Sequence, residues 1–147
     1  MKVSVERLFG RDVEAIEVDE QLPLRVELRE RYPNGVRVTA KITKISRGVY
    51  VEGSAVGVEA ETCVRCLEPF ARGVRVEIAE PFSEDVSAAD ALTADLSPLV
   101  DRVIDLDALV GELLEVDEPM AAICGEACLG ICAACGANRN LERCTCT

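Results

Sequence analysis

Apolar and polar residues alternate over most of the first 80 positions, the period-two pattern of strands buried on one face. Leu24, Val26 and Leu28 alternate with Arg25, Glu27 and Arg29, and Val36, Val38, Ala40 and Ile42 alternate with Arg37, Thr39, Lys41 and Thr43. Tyr32-Pro33-Asn34-Gly35 lies between the two runs. Proline presets φ, and Asn and Gly tolerate positive φ, so this reads as the turn of a hairpin joining them. Met1 to Gly10 is strand-like and charged throughout. Val49 to Glu61 reads as a further strand, with Gly53 and Gly57 predicting bulges or close backbone approach. Val74, Val76 and Ile78 begin another alternating run.

The period then changes. Residues 83–104 read as a mobile acidic loop that includes Ser83, Glu84, Asp85, Asp90, Asp95 and Pro98. Leu106, Leu109, Val110, Leu113 and Leu114 follow at i, i+3, i+4, i+7 and i+8, one stripe of a helix. Asp105 suits its N-cap, Asp107 suits the positive end of its dipole, and Pro119 stops it. There is no internal repeat of roughly 20–50 residues.

Beyond the helix the chemistry is carried by cysteine. Six of the chain's 8 cysteines fall between Cys124 and Cys146. The full pattern is Cys63-x2-Cys66, Cys124-x3-Cys128-x3-Cys132-x2-Cys135 and Cys144-x-Cys146. A CxxC pair can turn both sulfurs onto one ion, and Gly136 after Cys135 supplies the sharp turn that such a knuckle needs. Cys132, Cys135, Cys144 and Cys146 would make a compact local site. Cys63, Cys66, Cys124 and Cys128 would make a second one that clamps the tail onto the sheet. Small buried thiols placed by packing alone do not account for so dense a cluster. Cys128-x3-Cys132-x2-Cys135 has the spacing of a radical-SAM cluster, but such enzymes need a far larger barrel. Thiolates also accept iron–sulfur clusters, whereas a thioredoxin-like CxxC needs a βαβ context that is missing here. Two four-thiolate Zn2+ sites are the expected reading.

Composition narrows the function. There is no histidine, which excludes His-based catalytic zinc and His general-base chemistry. Serines have no base to activate them, and closed four-thiolate sites leave no open coordination position, so no catalysis and no small-molecule substrate are expected. No apolar run approaches the roughly 20 residues that span a bilayer, and Met1–Gly10 lacks a signal-peptide core. A cytoplasmic location without membrane contact follows as the expectation, where thiols stay reduced and disulfides are rare. Aromatic content is 3%, so the core must be aliphatic. The predicted fold is α+β: an antiparallel sheet or partly closed barrel, one main helix, and a cysteine-rich, zinc-ribbon-like tail. Residues 1–119 form the β-rich body with its helix, and 120–147 form the zinc-binding tail packed on it.

Net charge is −11, and it is unevenly spread. Residues 77–126 hold 14 acidic groups and only Arg102 as a base. Such a surface attracts a basic protein over a Debye length of about 8–10 Å and is a poor match for a phosphate backbone. The local exception runs from Arg25 to Arg47, where seven bases face only Glu27 and Glu30. On the hairpin read above, Arg25, Arg29, Arg37 and Lys41 form a basic strip on the solvent face. Its two readings are a solvated strand face with edge-protecting charges and a contact for RNA.

The segment Cys63-Val64-Arg65-Cys66-Leu67-Glu68-Pro69-Phe70, the helix start Ile104-Asp105-Leu106, and the tail Cys124 to Cys146 with Leu129-Gly130-Ile131-Cys132-Ala133-Ala134-Cys135-Gly136-Ala137-Asn138 together resemble the YceD family of bacteria and plastids, the large ribosomal RNA subunit accumulation proteins. The resemblance runs from about residue 50 onward. Two positions depart from the family pattern: Ala133 stands where a proline is common, and Glu118-Pro119 where Leu-Pro is common. Neither removes a cysteine. The resemblance implies a non-enzymatic role in accumulation, processing or assembly of large-subunit ribosomal RNA. Its partner would be that RNA or a basic ribosomal protein. The other reading is a zinc-stabilised adaptor that binds a basic protein without touching RNA.

Overall fold

The computed structural model describes residues 1–11, 13–87 and 96–146. Its strands are β1 (Lys2–Ser4), β2 (Ala15–Leu22), β3 (Val36–Ile45), β4 (Gly48–Thr62), β5 (Pro69–Ser83), β6 (Ser97–Pro98) and β7 (Val103–Asp105), followed by helix α1 (Leu106–Val116). The main sheet has the open order β2-β3-β4-β5-β6, and β1 pairs with β7 in a separate two-stranded sheet. All pairings are antiparallel except β5 with β6. Among the described residues the fold is a mostly antiparallel sheet with one α-helix and a cysteine-rich C-terminal region.

The alternation of the sequence sets the inner face. Val36, Val38, Ala40 and Ile42 of β3, Val49, Val51 and Ala55 of β4, and Val74, Val76 and Ile78 of β5 are buried. They share one core with Leu106, Val110 and Leu114 of α1. The helix begins as expected: the Asp105 carboxylate accepts from the amides of Asp107 at 3.2 Å and Ala108 at 3.4 Å. Its last residue is Val116, three before Pro119.

Two expectations are corrected, and one of the two readings of the β4 glycines is kept. The run Leu24–Arg29 is not a strand. Val26–Leu28 is a 3-10 turn, and Leu24 sits at φ +58° directly after Pro23. The partner of β3 is instead β2, with Leu22 opposite Val36. Leu24, Leu28 and Tyr32 are nonetheless buried, because the connection folds back over the edge of the core. The stretch 83–104 is not a continuous loop, since β6 and β7 lie within it; Asp90 and Asp95 fall outside the described residues. The glycines of β4 mark close approach and not bulges. Every residue from Gly48 to Thr62 has one partner on β5, and a Cβ on Gly53 would lie 2.1 Å from the Thr39 carbonyl oxygen.

The β4–β5 hairpin outruns its neighbour. β3 stops opposite Gly57, so residues 58–62 and 69–73 continue as a two-stranded ribbon. A bare ribbon is marginal in water. This one is held at its base by Glu59, which is 0% exposed and directly opposite Arg72 on β5. One carboxylate oxygen accepts from Arg31 Nε at 2.8 Å and the other from Arg72 Nε at 2.9 Å. The same arginines reach the end of α1: Arg31 Nη1 is 3.1 Å from Glu118 and Arg72 Nη1 is 3.3 Å from Asp117. The Ala60 amide donates to the Arg31 carbonyl at 2.6 Å. Burial pushes the Glu59 pKa up, but the hydrogen bonds from Arg72 and Arg31 outweigh it and leave the carboxyl below its ordinary 4.5.

This sign gives a prediction. A carboxyl whose folded pKa is depressed stabilises the fold above its unfolded value and loses that contribution as pH falls through the folded one. Glu59→Gln is expected to cost about 1.5–3 kcal/mol at neutral pH, the scale of hydrogen bonds to charged groups. The gap between parent and variant should narrow below 4.5. Urea unfolding of both proteins across the acid range measures it; a gap that does not depend on pH would show that the carboxylate charge is irrelevant.

Candidate metal centre

The first CxxC is the tip of the ribbon. Cys63 to Glu68 connects β4 to β5, closed by Cys63 N donating to Glu68 O at 2.9 Å and Leu67 N donating to Cys63 O at 2.8 Å. The second CxxC repeats the same two bonds. Cys132 N donates to Ala137 O at 2.8 Å and Gly136 N donates to Cys132 O at 2.8 Å. In both, the residue after the second cysteine is left-handed: Leu67 at φ +62° and Gly136 at φ +75°. The two turns are therefore one knuckle built twice, once with the glycine it calls for and once with a strained leucine.

The tail folds back to bring the remaining cysteines to these knuckles. Val64 N donates to Ala122 O at 2.9 Å, and Ile131 N donates to Arg65 O at 2.9 Å. The sulfurs of Cys63, Cys66, Cys124 and Cys128 all lie within 4.8 Å of one another, and so do those of Cys132, Cys135, Cys144 and Cys146. These are the two foursomes that the spacing suggested. In the inner one, Cys63 Sγ is 3.8 Å from Cys128 Sγ, and Cys66 Sγ is 3.7 Å from Cys124 Sγ. In the outer one, Cys144 Sγ is 3.5 Å from Cys135 Sγ and 3.2 Å from Cys132 Sγ. A tetrahedral ion with metal–sulfur bonds of about 2.3 Å separates its sulfurs by about 3.8 Å, so the donor set fits one such ion per foursome.

Each foursome is electrostatically uneven. Burial raises the Cys63 thiol, but the backbone amides of Cys124, Cys66 and Arg65 outweigh it and lower its pKa to about 6. Cys132 is lowered to about 6, chiefly by the amide of Cys135. Cys124 is pushed up to about 12 by the neighbouring thiols of Cys128 and Cys63. At Cys144 the Cys146 amide lowers the pKa, but the Cys132 and Cys135 sulfurs carry it to about 11. Four thiolates cannot share so small a space without a cation to replace the protons they retain.

Two asparagines tie the foursomes together, and sequence reading missed both. Asn140 Nδ2 donates to Cys128 Sγ at 3.4 Å, while its Oδ1 accepts from the Leu129 amide at 2.8 Å. Asn138 Nδ2 donates to Glu68 at 3.2 Å, bridging the tail to the ribbon tip. Nothing in their spacing marks them; the only signal is that both stand between cysteine pairs. Glu59, by contrast, could have been found by parity, since it occupies an inward position of β4.

The basic strip is not assembled. Arg25 and Arg29 lie outside the sheet because their segment is a turn. Arg25 is 3.6 Å from Glu115 on α1, and Arg29 Nε donates to the Leu24 carbonyl at 3.1 Å. Arg37 is clasped by both oxygens of Asp19 at 2.8 and 2.9 Å. Lys41 stands in register between Glu17 on β2 and Glu52 on β4. An acid on β2 pairs with Arg37, and acids on both neighbouring strands stand opposite Lys41.

Two outcomes are expected from this geometry. Leu67→Gly should raise stability by up to about 1 kcal/mol through relief of left-handed strain, and Gly136→Ala should lower it by about 1 kcal/mol. Thermal unfolding of the metal-loaded protein reads both, and equal effects at the two positions would break the equivalence of the knuckles. Metal loading should expel protons. It should weaken as pH falls, and more steeply once pH passes below about 6, where Cys63 and Cys132 also hold theirs. Chelator competition at several pH values measures the slope.

Comparison with known proteins follows the cysteines. The family model described as large ribosomal RNA subunit accumulation protein YceD matches residues 51–147. An uncharacterised protein of Mycobacterium tuberculosis is 31% identical over 98 residues, covering 65% of this chain and 47% of that protein. One of Mycobacterium leprae is 28% identical over 109 residues, covering 73% and 50%. A Zea mays protein named large ribosomal RNA subunit accumulation protein YCED homolog 1, chloroplastic, is 26% identical over 141 residues, covering 76% and 48%. The chain thus spans about half the length of the curated relatives it matches. No solved structure matches it. With both foursomes inside a matched span that covers well over half of its length, the chain belongs to the YceD family.

Proposed function

We propose that this protein is a non-enzymatic, zinc-binding factor for the accumulation, processing or assembly of large-subunit ribosomal RNA in the cytoplasm. The observation that carries the reading is the coincidence of the family match with the two foursomes: the matched span contains all eight cysteines. Zinc is the metal of choice because all-thiolate tetrahedral sites of this size are its common structural setting. Closed in this way, each centre supplies cross-linking and no chemistry. The inner centre would fasten residues 120–147 to the ribbon tip of the 1–119 body, and the outer one would fold the end of the tail on itself.

A second reading has its own support. Three of the four bases first considered for RNA are bonded to Glu115, the Leu24 carbonyl and Asp19, and Lys41 stands opposite Glu17 and Glu52. This favours an adaptor that meets a basic ribosomal protein through its acidic side and touches RNA weakly or not at all.

Elemental analysis of protein purified without added metal is expected to give about two zinc ions per chain; stoichiometric iron would sink the metal assignment. Depletion in cells should lower large-subunit RNA relative to small-subunit RNA. The parent chain should restore it, and Cys63→Ser should not. Unchanged RNA ratios after depletion would overturn the functional reading. Direct binding of large-subunit RNA at low salt, with a steep salt dependence, would reject the adaptor.

A further inference from the structure

The two foursomes differ in a way that the metal assignment does not use. Cys63 and Cys66 of the inner one, at the ribbon tip, are 0% and 4% exposed, while Cys128 is half-buried and Cys124 exposed. The outer one has Cys135 and Cys146 exposed and no buried member. The inner ligands are drawn from segments more than fifty residues apart, joined by backbone bonds of the ribbon tip to Ala122 and Ile131 that no thiol supplies. The outer ligands lie within one short stretch, residues 132–146. Its sulfurs are also close enough to join: Cys135 Sγ and Cys144 Sγ are 3.5 Å apart.

We propose that the outer foursome is a peroxide-reactive modification site, with Cys135 the sulfur attacked first and Cys144 its resolving partner, while the inner foursome is inert. The proposal rests on the reading of both foursomes as zinc centres. The oxidant is hydrogen peroxide. The Cys135 thiolate attacks one peroxide oxygen, the O–O bond breaks, and the leaving hydroxide takes up a proton to become water. The resulting sulfenic acid is attacked at sulfur by the Cys144 thiolate, its S–O bond breaks, and a second hydroxide leaves as water on protonation. Two sulfurs lose two electrons to one peroxide. The two remaining thiolates, Cys132 and Cys146, would be too few to hold a zinc ion in a four-thiolate site. The exposure of Cys135 and the 3.5 Å separation of its sulfur from that of Cys144 select the site. Disulfide reductants return the thiols and allow the ion to rebind.

The experiment uses the full chain loaded with zinc and titrated with hydrogen peroxide. Zinc release is followed by a colorimetric chelator, and oxidised residues are mapped by alkylation and mass spectrometry. Met120, fully exposed, serves as an internal clock for unassisted oxidation. The expected result is release of about half of the bound zinc, with a Cys135–Cys144 disulfide formed before Met120 sulfoxide and Cys63 and Cys66 still reduced. Dithiothreitol with added zinc should reverse it. Cys135→Ser should lose the fast phase of disulfide formation. Oxidation of Met120 ahead of any cysteine, joint release of all zinc, or early oxidation of Cys63 overturns the proposal. A chain that carries no zinc before peroxide is added overturns the metal reading, and this one with it.

Discussion

The β4–β5 ribbon depends on a buried carboxylate. Past Gly57 each strand has only the other as a neighbour, so the backbone bonds of the ribbon face no third strand. Glu59 solves this by drawing three separate segments to one point. Arg72 comes from the opposite strand, Arg31 from the β2–β3 connection, and both carry the acids that follow α1. An apolar pair at the same place would bury as well, but it would not fix direction. Two guanidiniums that each grip a separate carboxylate oxygen leave little freedom to slide or rotate. The Tyr32 phenol lies in the same cluster, and its burial together with the Glu59 charge pushes its pKa up to about 12.

Fixing the base of the ribbon fixes where its tip can be. The tip is a cysteine knuckle, and the tail meets it through backbone bonds at Val64 and Arg65 before any thiol is considered. The inner foursome is thus largely preorganised by hydrogen bonds, and a metal ion there would close an arrangement already drawn together. The outer knuckle copies the inner one bond for bond, yet it has no ribbon behind it. Its position comes from Asn138 and Asn140, which reach back to Glu68 and Cys128. Rigidity therefore passes in one direction: from Glu59 to the ribbon, from the ribbon to the inner foursome, and from there through two side-chain amides to the outer one. The two buried thiols, Cys63 and Cys66, are those at the ribbon tip, where this order begins.

How far the sequence could be read depended on whether local pattern and tertiary context agreed. β3, β4, β5 and α1 were legible because alternation, helical stripe and N-cap all pointed the same way. The Leu24–Arg29 segment was misread because its alternation is real but serves another end. Leu24 and Leu28 are buried by a turn folding over the core edge, and Pro23 had already ruled out continuation of β2 as a regular strand. The β2 pattern was legible in principle, since Ile16, Val18 and Leu22 lie on one parity, but the stronger turn signal at Pro33-Asn34-Gly35 drew attention to the wrong partner. The foursomes were legible because ligand spacing in a knuckle is a local property. The two asparagines were not, since a single amide bridging distant loops leaves no periodic trace.

The error over the basic strip has the same origin and a wider lesson for the surface. A charge counted along the chain is available to a partner only if its neighbours across the sheet are not opposite in sign. Arg37 and Lys41 fail this test because β2 and β4 place Asp19, Glu17 and Glu52 beside them. Arg31 and Arg72 fail it because Glu59 takes both, and Arg102 fails it between Glu6 and Glu84. With Arg25, Arg47 and Arg75, six of the 13 bases of residues 1–75 form ion pairs within the molecule. What remains visible from a distance is the acidic excess of residues 77–126 and, when metal is bound, the negative charge of two tetrathiolate centres. With a net charge of −11, the long-range field would disfavour a bare phosphate backbone and favour a basic surface. Any contact with RNA must then be made at short range, against this field, by shape and hydrogen bonding more than by charge.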